Sequence, residues 1–217
     1  MRQRKAKELD RRLAECSDFM VRPAGEKGEF DYFGDDGDLY LEIGCGKGNF
    51  IIKKAKDNPS QNFIAVEGQE TVILRALEKV KAEAEKGKCS FSNLRFMPAF
   101  VEHMEDFFEE NQLSGIYLNF SDPWPKARHA KRRLTYRRRL EDYRWAIKPG
   151  GFIEFKTDND ALYDFTLEEL RATGFEISEQ SRDLHGSDFP SKETMTEYEE
   201  RFKNKGKNIN YVKVEVK

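Results

Sequence analysis

"LEIGCGKGNF", residues 41 to 50, decides the fold. A strand runs into closely spaced glycines and then into a helix candidate reaching about residue 56, the arrangement at which open α/β sheets bind nucleotide-like ligands. Outward from it, apolar runs of strand length alternate with amphipathic stretches. "FIAVE" (63–67) is followed by "TVILRALEKVKAEAEK" (71–86), whose Val72, Leu74, Leu77 and Val80 recur at helical spacing. "LRFM" (94–97), "GIYLNF" (115–120) and "FIEFKTD" (152–158) supply three more strands, separated by an acidic helix candidate at 101–110 and a basic one at 135–147 closed by "KPGG". A helix over 160–172, a strand from Phe175 and a final alternating "INYVKVEVK" (209–217) complete the pattern, the last two strands forming a hairpin-like pair across a long loop. The reading is α/β: a doubly wound, mostly parallel seven-stranded sheet, helices on both faces, an antiparallel C-terminal edge. Residues 1–217 are expected to form one domain, with 1–35 a basic, partly mobile N-terminal arm.

Composition narrows the class. At 217 residues, 38% hydrophobic and 36% charged with 17 Phe, the chain can bury a core without disulfide or metal staples and carries a well solvated surface. The N-terminus is charged from its second residue and no apolar run nears the roughly 18 residues that span a bilayer, so neither a signal peptide nor a membrane helix is expected and a cytoplasmic location follows. Cys16, Cys45 and Cys89 are widely spaced, and His103, His129 and His185 match no metal-ligand spacing, so no disulfide and no zinc are expected. The net charge of -2 hides segregation: residues 126 to 139 hold eight Lys/Arg and no acid, while acids gather at 35–38 and 102–110.

Two phosphate-binding readings of the glycine turn fail. A P-loop needs Gly-Lys followed by Ser or Thr, and Lys47 is followed by Gly48; a dinucleotide fingerprint needs a glycine at position 49, which is Asn49. Glu42, two residues before Gly44, would repel a pyrophosphate and attract the amino group of a positively charged cofactor such as S-adenosylmethionine. Glu67, at the end of the second strand, is placed to accept both ribose hydroxyl hydrogens.

The fourth strand ends in "NFSDPWPKARHAKRR" (119–133), where a rigid Asp-Pro-Trp-Pro corner abuts the most basic segment. In such a sheet the carboxyl ends of strands one and four flank the cleft, so Asp122 faces the chemistry, and Pro123 and Pro125 restrict the corner in advance of substrate.

With "LEIGCGKG" (41–48), "VEGQ" (66–69), "YLNFSDPWPKARHAKRRLT" (117–135), "FKTDN" (155–159) and "MTEYEERF" (195–202), the chain resembles the bacterial tRNA (guanine-N7-)-methyltransferases, of the class I, Rossmann-like, S-adenosylmethionine-dependent fold. The resemblance implies methyl transfer to N7 of a variable-loop guanine in tRNA. It implies cofactor contacts at Glu42, Gly44, Gly46, Glu67 and Asp122, with Asp122 also the catalytic position. Substrate contacts are implied at Lys126, Asp158, Thr196, Glu197, Tyr198 and Glu199, and RNA contacts at Arg128, His129, Lys131, Arg132 and Arg133. One departure from the family's pattern stands at Pro98-Ala99-Phe100, where an Asn-x-Asp stretch is frequent, which leaves Phe100 and backbone amides to meet the adenine.

Guanine N7 presents an in-plane lone pair, so no strong base is needed; Asp122, helped by Asp158, is expected to stabilise charge arriving on the purine and to accept from guanine N1 and N2. Thr196 and Glu199 also fit a helix capping box, a local role that accounts for both. A non-enzymatic RNA-binding protein on the same scaffold and a methyltransferase acting on another substrate remain alternatives, as do monomer and homodimer.

Overall fold

The computed structural model describes residues 8–22, 32–35 and 37–217. Strand β1 (Leu39–Ile43) sits near the middle of a seven-stranded sheet, and its alternation sets the layering. Leu39, Leu41 and Ile43 face one apolar layer, where they join Leu140, Tyr143 and Leu162; Tyr40 packs into the opposite layer, with Phe50, Leu74 and Leu77. Both faces of the sheet are therefore covered, as a parallel sheet requires.

The elements follow in the expected order: α2 (Asn49–Asp57), β2 (Asn62–Val66), α3 (Glu70–Glu85), β3 (Leu94–Met97), β4 (Leu113–Asn119), α4 (Arg137–Ala146), β5 (Ile147–Thr157), α5 (Asp160–Ala172), β6 (Glu176–Ser181), α6 (Glu197–Lys203) and β7 (Asn210–Glu215). The sheet order is β3-β2-β1-β4-β5-β7-β6, parallel except for β7, which inserts antiparallel between β5 and β6. Winding reverses between β1 and β4, and a ligand cleft belongs at the carboxyl ends of those two strands. The long excursion from β6 to β7 carries α6 and packs Phe189 and Phe202 around Leu184, Ile209 and Tyr211.

Two expectations need correction. The acidic stretch at 101–110 forms no α-helix, only a 3-10 turn over Met104–Asp106. Its apolar Val101, Met104, Phe107 and Phe108 are buried, but Arg139 Nη1 donates to the carbonyls of Val101 and Glu102 at 2.6 Å each. Those carbonyls would have opened the helix. Of the segment expected to be an arm, α1 (Leu9–Ala14) packs on α3 and the residues after it meet the edge strand β3: Arg12 Nε donates to Glu78 of α3 at 2.8 Å, and Val21 donates to the Phe96 carbonyl at 2.9 Å. Residues 1–7 and 23–31, with the rest of that expectation, lie outside the described residues.

Candidate functional site

The chain leaves β1 through Gly44, Gly46 and Gly48, all in the left-handed region (φ 78, 56 and 77), where side chains are disfavoured. Gly44 and Cys45 both donate to the Val66 carbonyl, tying the loop to β2. Glu67 fastens the other side: Oε2 accepts from Gly46 at 3.2 Å and Oε1 from Gln69 at 2.9 Å. At position 68 a Cβ would stand 2.2 Å from the Phe100 ring, so any larger residue there would displace that exposed side chain. Phe100 itself is 73% exposed and lies over that backbone.

Glu42 is 1% exposed. Its Oε1 accepts from Asn119 Nδ2 at 2.9 Å, while Oε2 is buried with no hydrogen-bond partner among the described residues. Burial pushes its carboxyl up to about 7, against the pull of the Asn119 bond and of Lys156. Glu42, the glycine loop, Asn119, Phe120 and Thr196 to Tyr198 line a cavity of about 390 Å³. An orphaned buried carboxylate oxygen at its wall is suited to an ammonium ligand, which would both satisfy and ionise it. A second cavity of about 420 Å³ is lined by Glu67, Gly68, Phe100, Asp122, Trp124 and Arg132. Gly44 and Phe120 line both, so the three acids surround two adjoining hollows of one cleft rather than a single chamber. Each hollow has the size of an ordinary ligand site.

The corner after β4 is strained: Phe120 (φ 52) and Trp124 (φ 41) are non-glycine residues in the left-handed region. Asp122 is exposed and opens into the second hollow. The basic strip follows as a 3-10 helix over Ala127–Arg132. Arg128 and Lys131 are exposed, as is Lys126 just before it. The Arg132 guanidinium lies 4.9 Å from the Trp124 ring centre, and His129 meets that ring edge-on at 5.8 Å. The strip thus borders the cleft. Arg133 departs from the RNA-contact expectation by turning inward to the carbonyls of Pro123 and Trp124.

The α6 stretch divides similarly. Thr196 and Glu197 line the first hollow, Glu197 pairing with Lys47 at 3.0 Å. Tyr198, 44% exposed, stacks on Phe202 and tilts against Phe120 at 5.1 Å. Burial and the charge of Asp158, which is half-buried, raise the Tyr198 hydroxyl pKa. Glu199 does not fit a substrate contact through its side chain: it is fully buried, closes the capping box with Thr196 and faces Lys156 Nζ at 3.4 Å. Burial drives the Glu199 carboxyl up and the Lys156 ammonium down, each opposed by the other's charge. Lys156 also donates to the carbonyls of Ser191 and Thr194 at 2.6 and 3.0 Å, so it anchors the approach to α6 on the central sheet. Sequence reading missed Lys156 and Asn119. A lysine directly after the apolar Phe155 in a central strand was the available signal for the first; nothing local marks the second.

Among the described residues no group of side chains could hold a metal ion, and no helix is long and apolar enough to cross a membrane. Residues 36–212 match a protein family described as putative methyltransferases. The chain is 40% identical over 210 residues to a tRNA (guanine-N(7)-)-methyltransferase of Brevibacillus brevis, covering 96% of this chain and 95% of that one. With the tRNA (guanine-N(7)-)-methyltransferase of Mesoplasma florum it shares 48% identity over 174 residues, covering 79% and 78%. Among solved structures, an antibiotic-related methyltransferase superposes with a TM-score of 0.58 at 18% identity, covering 98% of this chain and 95% of that one. The 16S rRNA methyltransferase KamB superposes at 0.60 and 12% identity, covering 87% and 92%. These two likenesses concern the fold.

Proposed function

We propose a division of labour within the cleft from one premise: the chain belongs to the tRNA (guanine-N7-)-methyltransferase family. Its reaction is transfer of a methyl group from S-adenosylmethionine to N7 of a guanine in tRNA. The whole chain acts as one catalytic domain, in the cytoplasm, where its RNA substrate resides. The observation that carries the donor side is the Oε2 of Glu42, buried at the wall of the first hollow and without a hydrogen-bond partner among the described residues.

When bound, S-adenosylmethionine supplies an electrophilic methyl group on a positively charged sulfur. Glu42 holds its amino group, and Glu67, already fixed by Gly46 and Gln69, has lone pairs left for the ribose hydroxyls. Gly44 and Gly46 shape a turn that would let the donor approach the backbone, and Phe100, which lines the second hollow, would pack on the adenine.

Asp122 is the catalytic acid position. N7 needs no deprotonation, so Asp122 works by charge: a carboxylate nearer the purine than the sulfur stabilises the transition state more than the ground state, because positive charge moves toward it. It also accepts from guanine N1 and N2, which excludes adenine. Lys126, Asp158, Thr196, Glu197 and Tyr198 complete the guanine's surroundings, while Glu199 contributes by anchoring α6. Arg128, His129, Lys131 and Arg132 grip the RNA backbone, since A-form major grooves are too narrow for side chains to read.

The test is incubation with methyl-labelled S-adenosylmethionine and unmodified bulk tRNA. Label at N7 of guanine, mapped to the variable loop, is the expected result. Cofactor binding without label in RNA would point to another substrate, and RNA binding without cofactor binding to a scaffold that has lost its chemistry.

A further inference from the structure

Arg132 and Arg133 are chemically identical neighbours in the basic strip, yet they face different ways. Arg132 is exposed, lies over the Trp124 ring and lines the hollow that holds Asp122. Arg133 is half-buried and directs its fork at the corner itself: Nε donates to the Pro123 carbonyl at 3.0 Å and Nη2 to the Trp124 carbonyl at 3.1 Å. Behind the fork, its guanidinium centre lies 4.2 Å from the Phe165 ring centre on α5.

That corner needs outside support. Trp124 holds a left-handed backbone (φ 41) directly before Pro125, a combination that side-chain and proline sterics both oppose. Neither Pro123 nor Pro125 has an N–H with which to close a turn internally. A strained conformation persists only where surrounding contacts over-determine it, and here two adjacent carbonyls are held by one planar, preorganised fork. Asp122 is the residue that this fork fixes in direction, being joined covalently to Pro123.

We propose that Arg133 is a positioning residue for methyl transfer: it locks the Asp-Pro-Trp-Pro corner so that Asp122 is aimed into the cleft, and it does not bind tRNA phosphate. The proposal deepens the reading of Asp122 given above and rests on it. A lysine at 133 keeps the positive charge but cannot reproduce two parallel N–H donors.

The experiment compares full-length Arg133→Gln, Arg133→Lys and Arg132→Gln for tRNA affinity across salt and for single-turnover methyl transfer at saturating tRNA and donor. Both Arg133 variants should lose about ten- to a hundred-fold in turnover, the scale of a small misplacement at a reacting centre. Their salt dependence should match the wild type, whereas Arg132→Gln should reduce the slope of log K against log salt by about one. Wild-type turnover in Arg133→Lys, or a reduced slope in Arg133→Gln, overturns the proposal and returns Arg133 to the phosphate-binding set. If the Arg133 variants fold poorly, Phe165→Leu removes the platform behind the fork and should lower turnover in the same direction with an unchanged slope; unaltered turnover there overturns the proposal. Asp122→Asn in the same assay separates the two readings. Turnover lost in Asp122→Asn but kept in Arg133→Lys sinks the Arg133 proposal alone, while wild-type turnover in Asp122→Asn sinks the role of Asp122. In the double variant Asp122→Asn/Arg133→Lys the losses should fall short of additivity, because one residue acts through the other; fully additive losses would show that the two act independently and would overturn the proposal.

Discussion

The tip of β1 and the corner after β4 each bring one acid to the same cleft, under opposite conditions. Glu42 sits within a strand, 1% exposed, hydrogen-bonded by Asn119 and pushed by burial toward neutrality. Asp122 sits on an exposed corner whose backbone, rather than its side chain, is held by neighbours. Burial makes the first acid sensitive to whether a cation arrives; the second is open to solvent, and what it can do depends on how its corner is aimed. In the proposed division of labour, recognition of a charged donor and stabilisation of a moving charge fall to these two different environments.

The largest effect that could break this contrast is at the corner. Asp122→Asn is expected to lower single-turnover transfer by about a hundred- to a thousand-fold, the usual range for losing one electrostatic stabiliser, with donor affinity measured by calorimetry unchanged. A large loss of donor affinity instead would make Asp122 a binding group like Glu42.

At the strand tip, Glu42→Gln should weaken donor binding by about ten- to a hundred-fold, as for a charged hydrogen bond replaced by a neutral one. Donor affinity of the wild type should rise with pH and level off above about 7, because a proton must leave Glu42 before the ammonium is paired, and the variant should lose that dependence. Stability runs the other way. The folded carboxyl titrates at about 7 against an ordinary 4.5, so its contribution is full below about 4.5 and is lost as pH rises through 7. Melting temperatures of the donor-free protein should fall across that window and those of Glu42→Gln should fall less.

Two smaller changes sharpen the comparison. Phe100→Ala should cost about fivefold in donor affinity, the value of an aromatic contact, and leave tRNA affinity intact. Lys131→Gln should weaken tRNA binding a few-fold at low salt and reduce the salt slope by about 0.9, without touching donor affinity. A change in the wrong ligand for either would show that the strip and the cleft are not separate surfaces.

Local pattern made much of this legible. The left-handed glycines 44, 46 and 48, the helix over residues 160–172 and the Thr196–Glu199 capping box are short-range features that sequence records directly. The stretch at 101–110 was misread because its apolar spacing suits a helix, and the competitor for its carbonyls is Arg139, far along the chain. Glu199 was legible as a cap and illegible as the buried partner of Lys156, which lies 43 residues away.

Sequence by itself determined the order of the strands, most of the helices, the glycine turn and the residues that carry charge, because periodicity and backbone permissiveness act over a few neighbours. Only the tertiary structure decided which charges face outward: Arg132 to the cleft, Arg133 to the carbonyls of its own corner, Glu199 to a buried lysine. A side chain's direction is fixed by partners brought together through folding, and two adjacent arginines are the same letters until those partners are in place.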